Sequence, residues 1–261
     1  MTFDPTSIGK AHSNLPPRIV LSGEPKAGKT TWASKSPNPI FIPIVGEEGC
    51  DDIIDKDGNS VDVQATPVVT SYQGLLDILT WLRDGEHDYK TVVIDSLSTM
   101  ERMFWADLCK EDGSKSIELV AGGYGKGYTM TLERFRIVTQ LISEIRTKRK
   151  MLAILIAHVT PKAGTDAETM ETFDAYSLSL NKKMVALFEQ WADFLLFAGK
   201  GRYITEDGKV VDKNRKLVIH GKAHLPVGGR GLASKLPSEI DLDFGAFSKA
   251  VKEAKAKTKG E

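Results

Sequence analysis

Gly23-Glu24-Pro25-Lys26-Ala27-Gly28-Lys29-Thr30 has the spacing G-x4-G-K-T, and each residue type answers a need of phosphate binding. The glycines let the backbone wrap an anion, and the amides that follow point at it. Lys29 sets a point charge on the β- and γ-phosphate oxygens. Thr30 offers a hydroxyl to Mg²⁺. With Thr31 behind it, this run from Gly23 is the expected nucleotide-binding loop.

A carboxylate is needed for the metal as well. Thr91-Val92-Val93-Ile94-Asp95 is an apolar run ending in Asp95, placed to hold Mg²⁺ together with Thr30. The next residue is Ser96, not Glu, so a water-activating base is not expected at that position. The guanine-reading signature N-K-x-D is also missing: Asn181-Lys182-Lys183-Met184 lacks its Asp. The base is therefore sought at Glu47 or Glu48, which follow the second apolar run. A carboxylate there could hold the attacking water in line. Glu47 is preferred. His158 closes another apolar run and is expected to sense the terminal phosphate.

Two loop segments carry a cation beside aromatics, the chemistry that grips single-stranded nucleic acid through backbone charge and base stacking. One is rich in glycine (Gly122 to Tyr128) and holds Tyr124, Lys126 and Tyr128. The other, Pro161 to Ser177, is read as a mobile polar loop with Lys162, Phe173 and Tyr176. Composition alone fits ordinary surface loops equally well.

These residues need a scaffold. Buried-strand patterns cover Arg18–Ser22, Ile40–Val45, Thr91–Ile94, Met151–Ala157 and Ala192–Ala198. Helical spacing covers 30–35, 71–84, 97–110, 128–150, 178–190 and 243–255. Alternation of this kind predicts an α/β fold with a mostly parallel central sheet and helices on both faces. Arg202 to His220 alternates around Glu206-Asp207-Gly208 and reads as a hairpin extending one edge antiparallel. The expected divisions are a leader over 1–17, a core over 18–247 and a Lys-rich tail over 248–261.

Thirty-five Lys and Arg balance thirty-five Asp and Glu across 261 residues. Zero net charge excludes a chain that coats nucleic acid by bulk charge and leaves only local patches. Two distant cysteines, Cys50 and Cys109, exclude a disulfide framework or zinc cluster and fit a cytoplasmic location. No apolar stretch is long enough to span a membrane.

SGEPKAGKTTWASKSPNPIFIPIVGEEG, TVVIDSLSTM, MLAILIAH and WADFLLFA together resemble the RecA-like P-loop NTPases of bacteriophages, within them the single-strand annealing recombinases of the Sak type. The similarity runs from about Arg18 to Phe247. It includes the Ser36-Pro37-Asn38-Pro39 break, the glutamate after the second strand, His158, Gly229-Arg230 and Leu236-Pro237. The resemblance implies an Mg²⁺-dependent ATPase, with ATP as its nucleotide, acting on single-stranded DNA in annealing or strand exchange. It implies a homo-oligomeric ring or filament, a possible single-strand-binding partner protein, and the host cytoplasm if phage-encoded. The base would be Glu47, although Pro43 and Val45 depart from the family pattern and leave Glu48 open. Lys222 or Arg230 would reach a neighbouring subunit's nucleotide. No arginine of the same chain is expected near the phosphate loop, so a cation in trans is expected. Two alternatives stand beside this reading: a small-molecule P-loop kinase, disfavoured by the lack of an Arg-rich lid, and an assembly protein with little turnover.

Overall fold

The computed structural model describes residues 4, 15–47, 49–50, 53–54, 58–165, 171–205, 207, 210–212 and 214–259. Glu48, most of the 1–17 leader, Glu206, Gly208 and the last two tail residues lie outside the described residues.

The strands are β1 (Arg18–Gly23), β2 (Pro39–Pro43), β3 (Gln64–Ala65), β4 (Thr91–Asp95), β5 (Leu152–Thr165), β6 (Thr172–Leu178), β7 (Phe194–Gly199), β8 (Arg202–Ile204), β9 (Val210–Asp212), β10 (Lys216–Val218), β11 (Gly228–Gly229) and β12 (Glu239–Asp241). The helices are α1 (Lys29–Ser34), α2 (Tyr72–Asp84), α3 (Leu97–Asp112), α4 (Lys126–Arg149), α5 (Lys182–Trp191) and α6 (Phe244–Lys259). The main sheet runs β12-β10-β7-β1-β5-β4-β2-β3. Its centre, from β7 to β3, is parallel, and β10 and β12 extend one edge antiparallel. The expected fold class is what the chain adopts.

Period-two alternation along the central strands sends side chains to two cores. Val20, Ile42, Val92, Ile94 and Leu155 pack beneath α2 to α5, around Leu79, Phe104, Phe135 and Phe188. Ile19, Leu21, Phe41, Val93 and Ile154 pack on the other face against Trp32 of α1 and Phe244 and Phe247 of α6. Local signals fix the helix starts. Ser71 caps α2 by accepting from the Gly74 amide, and Ser96 caps α3 in a reciprocal box with Thr99.

Two expectations are corrected. The described part of Pro161 to Ser177 is a paired ribbon and not a loop: β5 runs on past the sheet to Thr165 and pairs antiparallel with β6, from Val159 opposite Leu178 to Thr165 opposite Thr172, while 166–170 lie outside the described residues. The polar composition that reads as a loop is that of a ribbon projecting beyond the core, both faces of which meet solvent. Second, the edge extension is not the Arg202–His220 hairpin as a unit. Among the described residues β8 and β9 pair with each other, and of the strands in that segment it is β10 that joins β7. The glycine-rich segment Gly122 to Tyr128 follows a 3-10 turn, Ile117–Gly122, packed on Leu108, and runs into α4 at Lys126, so that Lys126 and Tyr128 are helical.

Candidate active site

The phosphate loop is where β1 hands over to α1. Gly23 is indispensable to that turn: its φ is +154°, and a Cβ there would lie 2.5 Å from the Ala198 carbonyl oxygen of β7. Gly28 caps α1 in the left-handed region at φ +97°, which leaves the first amides of the helix free for an anion. The Lys29 side chain is buried, its ammonium donating to the carbonyls of Gly23 (3.0 Å) and Glu24 (2.9 Å). Burial pulls its pKa down, opposed by the carboxylates of Asp95, Glu47 and Glu24 and reinforced by Lys200.

Sheet order brings the other residues into line. β5 lies between β1 and β4, with Gly23 opposite His158 and Asp95 opposite Ile156. Pro43 of β2 pairs with Asp95. This register delivers the phosphate loop, Asp95, Glu47 and His158, the last where β5 runs on out of the sheet, along one edge. Thr30 donates its hydroxyl to Asp95 Oδ2 at 2.9 Å. Asp95 is buried, and that burial, with the neighbouring Glu47 charge, pushes its pKa up to about 6 against the pull of Thr30, Lys29 and His158.

Glu47 is fixed from two sides. Its Oε2 accepts from Ser96 Oγ at 2.9 Å and lies 2.9 Å from His158 Nε2. Burial raises its pKa, but those two hydrogen bonds and the charges of His158 and Lys29 outweigh it and hold the carboxyl below its ordinary value. Glu47 is thus kept ionised, as a base must be. The His158 amide donates to Ser98 Oγ at 3.2 Å, tying β5 to the first turn of α3. His158 Nδ1 is buried without a hydrogen-bond partner among the described residues.

A divalent cation fits this arrangement. Thr30 Oγ1 and Asp95 Oδ2 form a hydroxyl-carboxylate oxygen pair suited to Mg²⁺. Gly49 keeps the space above them open: a Cβ there would lie 3.2 Å from Thr30 Oγ1 and 3.4 Å from Asp95 Oδ2.

The remaining expected residues fall elsewhere. Tyr124 is 98% exposed, and Lys126 Nζ caps the Ala121 carbonyl at 3.1 Å. Lys162 is exposed on β5. Tyr176 is not a free stacking residue: its hydroxyl donates to Glu24 Oε1 at 3.2 Å and its ring packs on Phe197. With Lys200, Lys216 and Lys222 these three residues line a cavity of about 970 Å³ beside the phosphate loop. Lys222 pairs with Glu239 at 2.9 Å. Arg230 is exposed, and its amide donates to the Asp193 carbonyl just ahead of β7, at the sheet end away from the phosphate loop.

Sequence reasoning missed Ser96, Gly49 and Arg215. Ser96 was legible as an N-cap before an apolar helix, but its second bond, to Glu47, depends on strand order. Arg215 corrects the expectation that no arginine of the chain stands near the phosphate loop: its Nη1 is 2.9 Å from where a Cβ on Gly28 would sit.

A glycine-built phosphate loop between a central parallel strand and a helix, with a hydroxyl-carboxylate pair at the neighbouring strand end, defines a P-loop NTPase. The chain belongs to the AAA domain family, whose model matches residues 15–223. Nucleotide binding and hydrolysis are therefore its activity in outline. No curated protein matches the chain.

Proposed function

We propose that the chain is an Mg²⁺-dependent ATPase that works on single-stranded DNA, promoting annealing or strand exchange in phage-type recombination as a homo-oligomer. One observation carries the reading beyond hydrolysis. The β5–β6 ribbon is rooted in the nucleotide site at both strands, by His158 against Glu47 and by Tyr176 against Glu24. Further along, the same ribbon carries Lys162 on its exposed surface.

In this reading the loop from Gly23 to Thr31 cradles the phosphates of ATP, and Lys29 leaves the carbonyls of Gly23 and Glu24 for the β- and γ-oxygens. Thr30 and Asp95 would hold Mg²⁺, which supplies charge neutralisation on the phosphates when bound. Glu47 orients a water and takes its proton. Movement of Glu47 is felt by His158 and so at the root of the ribbon. Tyr124, Lys126 and Lys162 are the contacts offered to DNA. Lys222 and Arg230 are the residues offered to a neighbouring subunit.

The test is ATP turnover by the purified chain with and without single-stranded oligonucleotide. Stimulation supports the reading. Turnover indifferent to DNA removes the DNA half of it, and absence of turnover leaves an assembly protein.

A further inference from the structure

The phosphate loop is crowded by cations from its own chain. Arg215 stands just ahead of β10, on the antiparallel edge of the sheet. Its guanidinium Nη1 lies 2.9 Å, and its Cδ 3.7 Å, from the position a Cβ on Gly28 would take. Leu242, whose amide donates to the Arg215 carbonyl at 3.1 Å, completes the contact, with its Cδ2 3.3 Å from the same point. The backbone is thus pinned where the side chain can lie along the loop. Lys200 follows the end of β7, two residues beyond Ala198, the partner of Gly23. Among the described residues neither the Arg215 guanidinium nor the Lys200 ammonium has a hydrogen-bond or ion-pair partner. A bound phosphate offers both side chains the charged acceptor that the loop does not give them.

We infer that Arg215 is a nucleotide-binding residue, gripping the α- and β-phosphates of the nucleotide bound in its own subunit. The inference rests on the nucleotide reading of the loop. Gly28 belongs to the part of a G-x4-G-K-T loop whose amides cradle the α- and β-phosphates, whereas Lys29 reaches on to the γ-phosphate. A guanidinium lying against Gly28 is therefore matched to the diphosphate and not to the transferring group. Its planar fork suits two phosphate oxygens better than an ammonium does. Two consequences separate it from an arginine reaching in from a neighbouring subunit. It serves ADP as well as ATP, and it cannot be supplied by another copy.

The experiment titrates fluorescent ATP, ADP and AMP analogues into wild type, Arg215→Ala and Arg215→Lys, with thermal melts confirming that each variant is folded. Expected for Arg215→Ala is a loss of about 10- to 100-fold in affinity for both ATP and ADP, the range for a charge-assisted bond. Less is lost for AMP, and Arg215→Lys recovers part of the loss. Unchanged binding of ADP by folded Arg215→Ala overturns the assignment, as does a loss confined to ATP. Failure of the wild type itself to bind any of the three overturns the nucleotide reading instead. As a second measure, mixing Arg215→Ala with Lys29→Ala restores no nucleotide affinity to the Arg215→Ala sites at any ratio, because each arginine serves the nucleotide of its own subunit. Recovery of wild-type affinity in the mixture overturns supply in cis.

Discussion

Glu47 and His158 are 111 residues apart in sequence and 2.9 Å apart in space, Oε2 to Nε2. His158 lies within β5, where that strand leaves the sheet, and β4 separates it from β2; the two residues meet because Glu47 lies four residues beyond β2, where the chain turns at the sheet edge. Ser96 Oγ binds the same oxygen, so the carboxylate is oriented by two donors from two different strand ends. Burial alone would favour the neutral acid; these donors keep it charged.

That arrangement predicts a clean separation of binding from turnover. Glu47→Gln keeps the shape and the Ser96 bond but cannot take a proton. It should bind ATP near the wild-type level and lose about 10²- to 10⁴-fold in turnover. Binding by equilibrium titration and turnover by phosphate release, with Glu48→Gln alongside, check this. If Glu48→Gln is the slower enzyme, the base is misassigned.

Asp95 gives a prediction with opposite signs for activity and stability. Its pKa is pushed up to about 6 by burial first and the Glu47 charge second. A carboxyl that binds its proton more tightly folded than unfolded loses stability as pH rises from about 4 to about 6. Asp95→Asn should therefore melt higher than wild type at pH 7.5 without metal or nucleotide, by on the order of 2 kcal/mol. The same variant should lose Mg²⁺-dependent turnover. Lys29→Ala should lose turnover as well, by about 3 kcal/mol of transition-state stabilisation. Calorimetry and phosphate release on the same preparations measure both.

Much of this was readable in advance. The phosphate loop, the Asp95 strand and the parallel α/β order follow from local spacing and period, because each is a short-range consequence of backbone geometry. What local spacing does not carry is adjacency across the sheet. In the sequence Ser96 reads simply as the absence of a glutamate, although it positions one. Arg215 sits in a segment of alternating charge whose nearness to Gly28 depends on β10 joining β7, a long-range pairing. The β5–β6 ribbon looked like a loop because its residues bury little, and burial is the signal that sequence periodicity reports.

Glu101 predicts a second pH dependence, remote from catalysis. Both of its oxygens accept from the Asn181 amide, at 3.0 and 3.1 Å, anchoring the start of α5. Burial lifts its pKa from 4.5 to about 7, more than the Asn181 bond and the Arg102 charge lower it. Its folded form again prefers the proton, so this group's contribution to stability is greatest below about pH 4.5 and declines up to about pH 7. Glu101→Gln, which still offers an oxygen to Asn181, should flatten the melting temperature between pH 5 and 8. An unchanged slope would show that Glu101 ionises as freely folded as unfolded.

The proposed DNA contacts are few and lie on a chain of zero net charge. Affinity for single strands should therefore fall with salt on a shallow slope, each neutralised phosphate contributing about 0.7. Lys162→Ala and Lys126→Ala should each flatten that slope by about that amount. Tyr124, 98% exposed, is free to stack on a base, and Tyr124→Ala should cost roughly 1–3 kcal/mol with little sequence preference. Tyr176 should behave differently. Its hydroxyl is bound to Glu24 and its ring to Phe197, so Tyr176→Phe keeps the packing and removes only the link from the ribbon to the phosphate loop. It should bind DNA as wild type does in ADP yet lose much of the gain seen with a slowly hydrolysed ATP analogue. Fluorescence anisotropy on labelled oligonucleotides in the two nucleotide states distinguishes the roles. A wild type with equal affinity in both states would remove nucleotide control, and Tyr176→Phe with an intact gain would leave His158 as the route by which the ribbon follows the nucleotide.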